Sequence, residues 1–127
     1  MFLATSSVCY ALKMAKLSLR VDFDPDGAVG PGKIELLELV DSLGSIAAAG
    51  RAMGMSYRRA WELIESINQC FREPVVSKQQ GGPAGGGARL THLGRRVVKH
   101  YRAIERKAGR AVAMHLNALQ AALARSS

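Results

Sequence analysis

Cysteine is scarce: the 127 residues contain two, Cys9 and Cys70, and neither sits in a CxxC. That excludes a four-cysteine zinc ribbon and a thioredoxin-type redox pair. Two such thiols read as buried groups in a reducing cytoplasm. The three histidines, His92, His100 and His115, form no metal pair, since no cysteine or carboxylate cluster joins them. Motifs of catalysis are missing too. There is no GxSxG, no HExxH, no pair of acids in a loop and no GxGxxG. The glycine-rich stretch lacks the GK[ST] of a nucleotide loop, which argues against nucleotide hydrolysis. An enzyme is therefore not expected, and neither is a metal or other cofactor. No apolar run is long enough to cross a bilayer. The opening "MFLATSSVCYALKMAK" lacks a positive n-region and is broken by Thr5, Ser6 and Ser7. Residues 1–14 read as a flexible lead-in, with Met14 a second candidate start.

What is present suits one domain. Apolar residues make up 48% of the chain, enough for a core and too many for a disordered tail. The formal charge is +8, and it is unevenly spread. Residues 1–55 carry five Lys/Arg against six Asp/Glu, while residues 56–110 carry twelve against four. Residues 111–127 add only Arg125. Basicity that merely aided solubility would be dispersed. Its concentration in the middle points to a polyanionic partner, most often nucleic acid.

The pattern along the chain gives an order of elements. "KLSLRVDF", residues 16–23, alternates strictly and predicts a half-buried strand, which the turn formers of "DPDGAVGPG" end. "KIELLELVDSLG" follows with a helical stripe of Ile34, Leu37, Val40 and Leu43, widened by Leu36. Gly44 is its stop, and Ser45 caps "IAAAGRAMG". Gly54 stops that segment, and Ser56 caps "YRRAWELIESINQCF". Two capped helices joined around "MGMS" carry the punctuation of a helix-turn-helix. On the second, Tyr57, Ala60, Trp61, Ile64, Ile67 and Phe71 share one stripe, with Arg58, Glu62, Glu65 and Gln69 opposite. "VVSKQ" and "ARLT" predict two short strands around the glycines, and Thr91 caps a last helix. Apolar residues recur at helical spacing from Leu93 to Leu123, over about 50 Å at 1.5 Å per residue. That exceeds what so small a core needs, so the surplus predicts packing against a second copy. Gly109 is the weak point of that helix. The expected fold is mainly α with a small β-hairpin wing, a winged helix-turn-helix with a long C-terminal dimerisation helix. The winged domain spans 15–110, and 111–127 continues the last helix.

"LLELVDSLGSIAAAGRAMGMSYRRAWELIESIN" followed by "GGPAGGGARLTHLGRRVVKHYRAIE" resembles the N-terminal DNA-binding domain of ModE-type molybdate-responsive transcriptional regulators, related to the helix-turn-helix of LysR-type regulators. The resemblance rests on "GSI", on "MSYRRAW" and on the glycine wing, and covers about residues 15–110. It implies a cytoplasmic homodimer that binds double-stranded DNA through Ser56, Tyr57, Arg58, Arg59 and the wing. Full-length relatives carry molybdate-binding domains C-terminal to this one. The chain ends before such a domain, so a stand-alone form that does not itself bind molybdate is expected.

The residues support specific roles. Arg58 and Arg59 open the second helix of the pair, the end that reaches base edges in a major groove. Arginine reads guanine O6 and N7 with two hydrogen bonds. Cations at a helix N-terminus oppose the dipole by roughly a few tenths of a kcal/mol, which favours a role other than stability. Glu62 or Glu65 orients Arg58 or accepts from cytosine. Ser45 and Ser56 are caps that can also present hydroxyl or N–H groups to phosphate. Tyr57 serves core or DNA, with DNA favoured, and Trp61 belongs to the core. Arg51 is placed to reach the DNA backbone. Lys78 and Arg89 flank the hairpin tip for phosphate or minor-groove contact, or else discourage edge pairing. Gly85, Gly86 and Gly87 bring bare backbone close to phosphate, and Thr91 closes the set. Arg95, Arg96 and Lys99 add to the basic field. The alternatives to DNA binding are a partner module for a full-length regulator and a small oxyanion sensor.

Overall fold

A computed structural model describes residues 14–25, 27–79 and 87–124. Gly85, Gly86 and Cys9 lie outside them. Two compact units are present, one from Ser18 to Ile104, the other joining the described residues before Ser18 to those from Glu105 onward.

The first unit opens with a hairpin of β1 (Val21–Phe23) and β2 (Gly27–Val29), antiparallel with Val21 opposite Val29. This corrects the expectation of a strand over 16–23 followed only by turns. The alternation of exposed and half-buried residues does run from 16 to 23. Only its last three residues meet a partner, because β2 is three residues long.

Three helices follow. They are α1 (Pro31–Leu43), α2 (Ile46–Ala52) and α3 (Tyr57–Asn68). Proline fits the start of α1, where its missing N–H is no loss. Ile34, Leu36, Leu37 and Val40 of α1 are fully buried. Leu43, at the edge of the face those residues define, is 49% exposed instead of joining the core. The two hydroxyl caps form as expected. Ser45 Oγ accepts from the Ala48 N–H at 3.1 Å, and Ser56 Oγ from the Arg59 N–H at 3.1 Å. Ala49 of α2 and Ala60, Ile64 and Ile67 of α3 complete this side of the core.

A second hairpin pairs β3 (Val76–Gln79) with β4 (Gly87–Leu90), with Ser77 opposite Arg89 and Lys78 opposite Ala88. It is tied down at its base. Asn68 Oδ1 accepts from the N–H groups of Val75 and Val76 at 2.8 and 3.3 Å. Asp41 Oδ1 accepts from Leu90 N–H at 3.2 Å, and Gly44 O from Ala88 N–H at 2.9 Å. The last helices are α4 (His92–Ala111) and α5 (Ala113–Ala121). Thr91 Oγ1 caps α4 by accepting from Gly94 N–H at 3.0 Å. The expected single long helix is interrupted at Val112, whose φ of −105° and ψ of 6° leave the helical region. The interruption falls three residues after Gly109, the weakest helix former in the stretch. Backbone bonds still bracket it, from Val112 N–H to Ala108 O and from Leu116 N–H to Val112 O.

Candidate nucleic-acid interface

The α2–α3 corner is compact because one residue has no side chain. A Cβ on Gly50 would lie 2.9 Å from Ala60 Cβ, so the two helices meet with a bare α-carbon against a methyl. The turn between them is closed by Gly54 N–H on Arg51 O at 3.0 Å and Met55 N–H on Gly50 O at 2.9 Å. Rigid placement of α3 is the result, with its first turn projecting outward.

That first turn is the exposed part of α3. Tyr57 is 53% exposed, so it does not join the buried stripe of Ala60, Ile64 and Ile67. The Arg58 side chain is 88% exposed, and its Nε lies 3.3 Å from Glu62 Oε2 one turn later. The carboxylate holds the guanidinium at Nε, one turn along the helix. Arg59 is exposed with no ion pair among the described residues. Ser56 offers its hydroxyl hydrogen at the same end of the helix, its oxygen already capping. Arg51 is exposed in the last turn of α2, and Ser45 is half-buried at its start.

The hairpin adds a second set. Arg89 points outward from β4 between buried Ala88 and Leu90. Lys78 is exposed on β3, and its Nζ sits over the ring of Trp61, 5.5 Å from the centroid. Trp61 is half-buried, packs against the core and also meets this cation, so it is not wholly a core residue. Gly87 begins β4 and faces the Gly44 carbonyl, with which a Cβ would come within 3.3 Å. Thr91 is engaged inside the fold. Its hydroxyl donates to Pro74 O at 2.8 Å while accepting from Gly94 N–H.

Sequence reasoning missed the residues that hold these groups in place. Asn68 and Asp41 look like ordinary surface polar residues, yet both accept backbone N–H groups of the hairpin. Glu38 and Arg102 form a two-point ion pair at 2.7 and 3.0 Å. Their partners are 49 and 64 residues apart for Asp41 and Glu38, and no local pattern signals such pairs.

Among the described residues no group of three His, Cys, Asp or Glu is placed to hold a metal. An open apolar pocket of about 250 Å³ between β1, β2 and α4 is walled by Phe23, Phe71, Val97 and Ile104, with Arg96 and His100 its only ionisable lining besides Tyr101. The Tyr101 hydroxyl already donates to Leu19 O at 2.6 Å. Among the described residues no helix is long and apolar enough to cross a membrane.

No known family profile matches the chain. Individual relatives do. Over 92 residues it is 41% identical to the "Molybdenum transport protein ModE" of Azotobacter vinelandii, covering 72% of this chain and 33% of that one. Over 104 residues it is 36% identical to the "DNA-binding transcriptional dual regulator ModE" of Escherichia coli K12, covering 76% and 40%. The chain carries a ModE-type domain. A further relative is the "Molybdenum-pterin-binding protein MopB" of Rhodobacter capsulatus, 42% identical over 77 residues, which are 61% of this chain and 28% of that one. None of the three is named as an enzyme. The ModE-type domain spans only about a third of the length of these relatives.

Proposed function

We propose that the chain binds double-stranded DNA sequence-specifically, as a homodimeric transcriptional regulator linked to molybdenum metabolism. The observation that carries this reading is the exposed run Tyr57–Arg58–Arg59 on the first turn of a serine-capped helix, which is the second helix of a compact helix-turn-helix. In a major groove that turn meets base edges. Arg58 then reads a guanine, with Glu62 holding the guanidinium in line. Arg59, Arg51 and Arg89 meet phosphates, and the Ser45 and Ser56 hydroxyls donate to phosphate oxygens. Of the wing glycines expected to approach phosphate, Gly87 is among the described residues, at the start of β4. The name of the Escherichia coli relative, a DNA-binding transcriptional regulator, supports this reading. Such a protein works in the cytoplasm.

The exposed surface of α5 favours dimerisation. No residue of α5 is buried, and Met114 and Leu119 are 76% and 63% exposed. Apolar side chains left open on a helix favour a second copy. A two-fold dimer should prefer an inverted repeat with half-sites about one helical turn apart. Molybdate is not assigned to this chain. The same apolar helix favours a second reading, a module that pairs with a longer regulator.

The test is selection of bound duplexes from a random pool, followed by gel-shift titration across salt. An enriched inverted repeat, with affinity falling steeply as salt rises, is expected. No duplex binding at low salt overturns the reading. Sedimentation of the chain alone separates a self-pairing dimer from a module that needs another protein.

A further inference from the structure

The recognition helix and the wing are separate elements, joined in sequence by the described residues from Gln69 to Val75. For a protein that grips DNA with both, their relative setting decides whether both fit at once. At the C-terminal end of the helix Asn68 Oδ1 holds the base of the wing through the Val75 and Val76 N–H groups, and a second side-chain contact lies nearer the exposed end. Lys78 Nζ of β3 lies over the ring face of Trp61 of α3, 5.5 Å from the centroid. A ring face is the negative pole of the aromatic quadrupole, and a cation over it is attracted. Lys78 is exposed and has no acid partner among the described residues. Trp61 is three residues after Arg58 and four after Tyr57, one turn below the exposed end of the helix.

We infer that Trp61 is a positioning residue for DNA recognition, holding the wing against the recognition helix through the Lys78 ammonium. The inference rests on the DNA-binding reading. It assigns Lys78 to the indole ring rather than to a phosphate, which gives it a distinct salt signature. Neutralising a phosphate-bound lysine lowers the slope of log affinity against log salt by about one. Removing a lysine that acts through Trp61 lowers affinity and leaves the slope alone.

The experiment is a double-mutant cycle on duplex binding with Lys78→Met, which keeps the aliphatic stem, and Trp61→Leu, with Trp61→Phe as the conservative rescue. Each of the first two should weaken binding about two- to five-fold, the range of an exposed cation–π contact. The salt slope should be unchanged. The double variant should be no weaker than the worse single variant, and Trp61→Phe should restore most of the affinity. Additive losses, a slope reduced by about one in Lys78→Met, or no recovery in Trp61→Phe would each overturn the inference. Trp61 is the chain's one tryptophan, so its emission reports the contact without DNA. Lys78→Met should change that emission in the free protein, and an unchanged spectrum refutes the contact. Failure of the wild type to bind any duplex refutes the DNA reading instead, and the emission test still stands.

Discussion

Arg102 grips Glu38 at two points, Nη2 to Oε1 at 2.7 Å and Nε to Oε2 at 3.0 Å, and so ties the middle of α4 to α1. The hydrogen bond from Arg102 is the main cause that holds the Glu38 carboxyl below the usual glutamate range; burial opposes it, and the Arg102 charge adds a smaller lowering effect. A carboxylate with a depressed pKa contributes stability above its unfolded pKa and loses it as pH falls through the folded one. Glu38→Gln should therefore destabilise the domain near neutral pH and flatten its stability profile on the acid side. Both side chains are about a third exposed, so the loss should be about 1 kcal/mol or less. Urea unfolding of both proteins between pH 7 and pH 3 checks it, and equal acid-side slopes would count against the pair.

Gly94 and Gly109 sit in the same helix and should respond oppositely to alanine. A Cβ on Gly94 would lie 2.1 Å from the Val75 carbonyl oxygen, a backbone atom that itself accepts from Thr91 N–H. Gly94→Ala must push the helix off the base of the wing, at a cost of about 3 kcal/mol. Nothing lies within 4 Å of a Cβ on Gly109, so Gly109→Ala should stabilise by about 0.5–1 kcal/mol. Denaturant midpoints moving in opposite directions are the expected outcome.

Local chemistry was legible in the sequence, and distant pairing was not. Ser45, Ser56 and Thr91 cap their helices because a hydroxyl reaches an N–H three residues on, a relation that sequence spacing displays. The two strands of the second hairpin were legible from their position on either side of the glycine stretch. β2 is hidden because Ala28 and Val29 are two apolar residues set among turn formers, and only pairing with β1 makes them a strand. The break at Val112 follows from backbone settings that a continuous apolar stripe does not record. At the candidate interface, the exposure of Arg58 and Arg59 was legible from the helix wheel. The Lys78 contact with Trp61 depends on how the wing folds back, so the sequence pattern assigned the two to different surfaces.

Arg58 and Arg59 are neighbours with different expected roles. Glu62 aligns Arg58, whereas Arg59 has no acid partner among the described residues. Arg58→Ala should cost about 1–3 kcal/mol on the preferred duplex and relax discrimination at one base pair per half-site. Arg59→Ala should weaken all duplexes alike and lower the salt slope by about one per bound site. Glu62→Ala should resemble a weak Arg58→Ala, since it frees the guanidinium without removing it. Competition titrations with single-base variants of the selected site separate the three, and equal losses on every sequence for Arg58→Ala would overturn its base-reading role.

Molybdate at fixed ionic strength should leave duplex affinity unchanged. The cations offered by this surface, Arg51, Arg58, Arg59, Arg89 and Lys78, are all exposed. An isolated exposed charge gains little from one small anion, because water and salt screen it. DNA differs in presenting a row of phosphates, so many weak contacts act together and counterion release drives them. Gel-shift titrations with millimolar molybdate, matched by sulfate at equal ionic strength, should give superimposable curves. A shift with molybdate and none with sulfate would assign oxyanion sensing to this chain and favour the sensor reading.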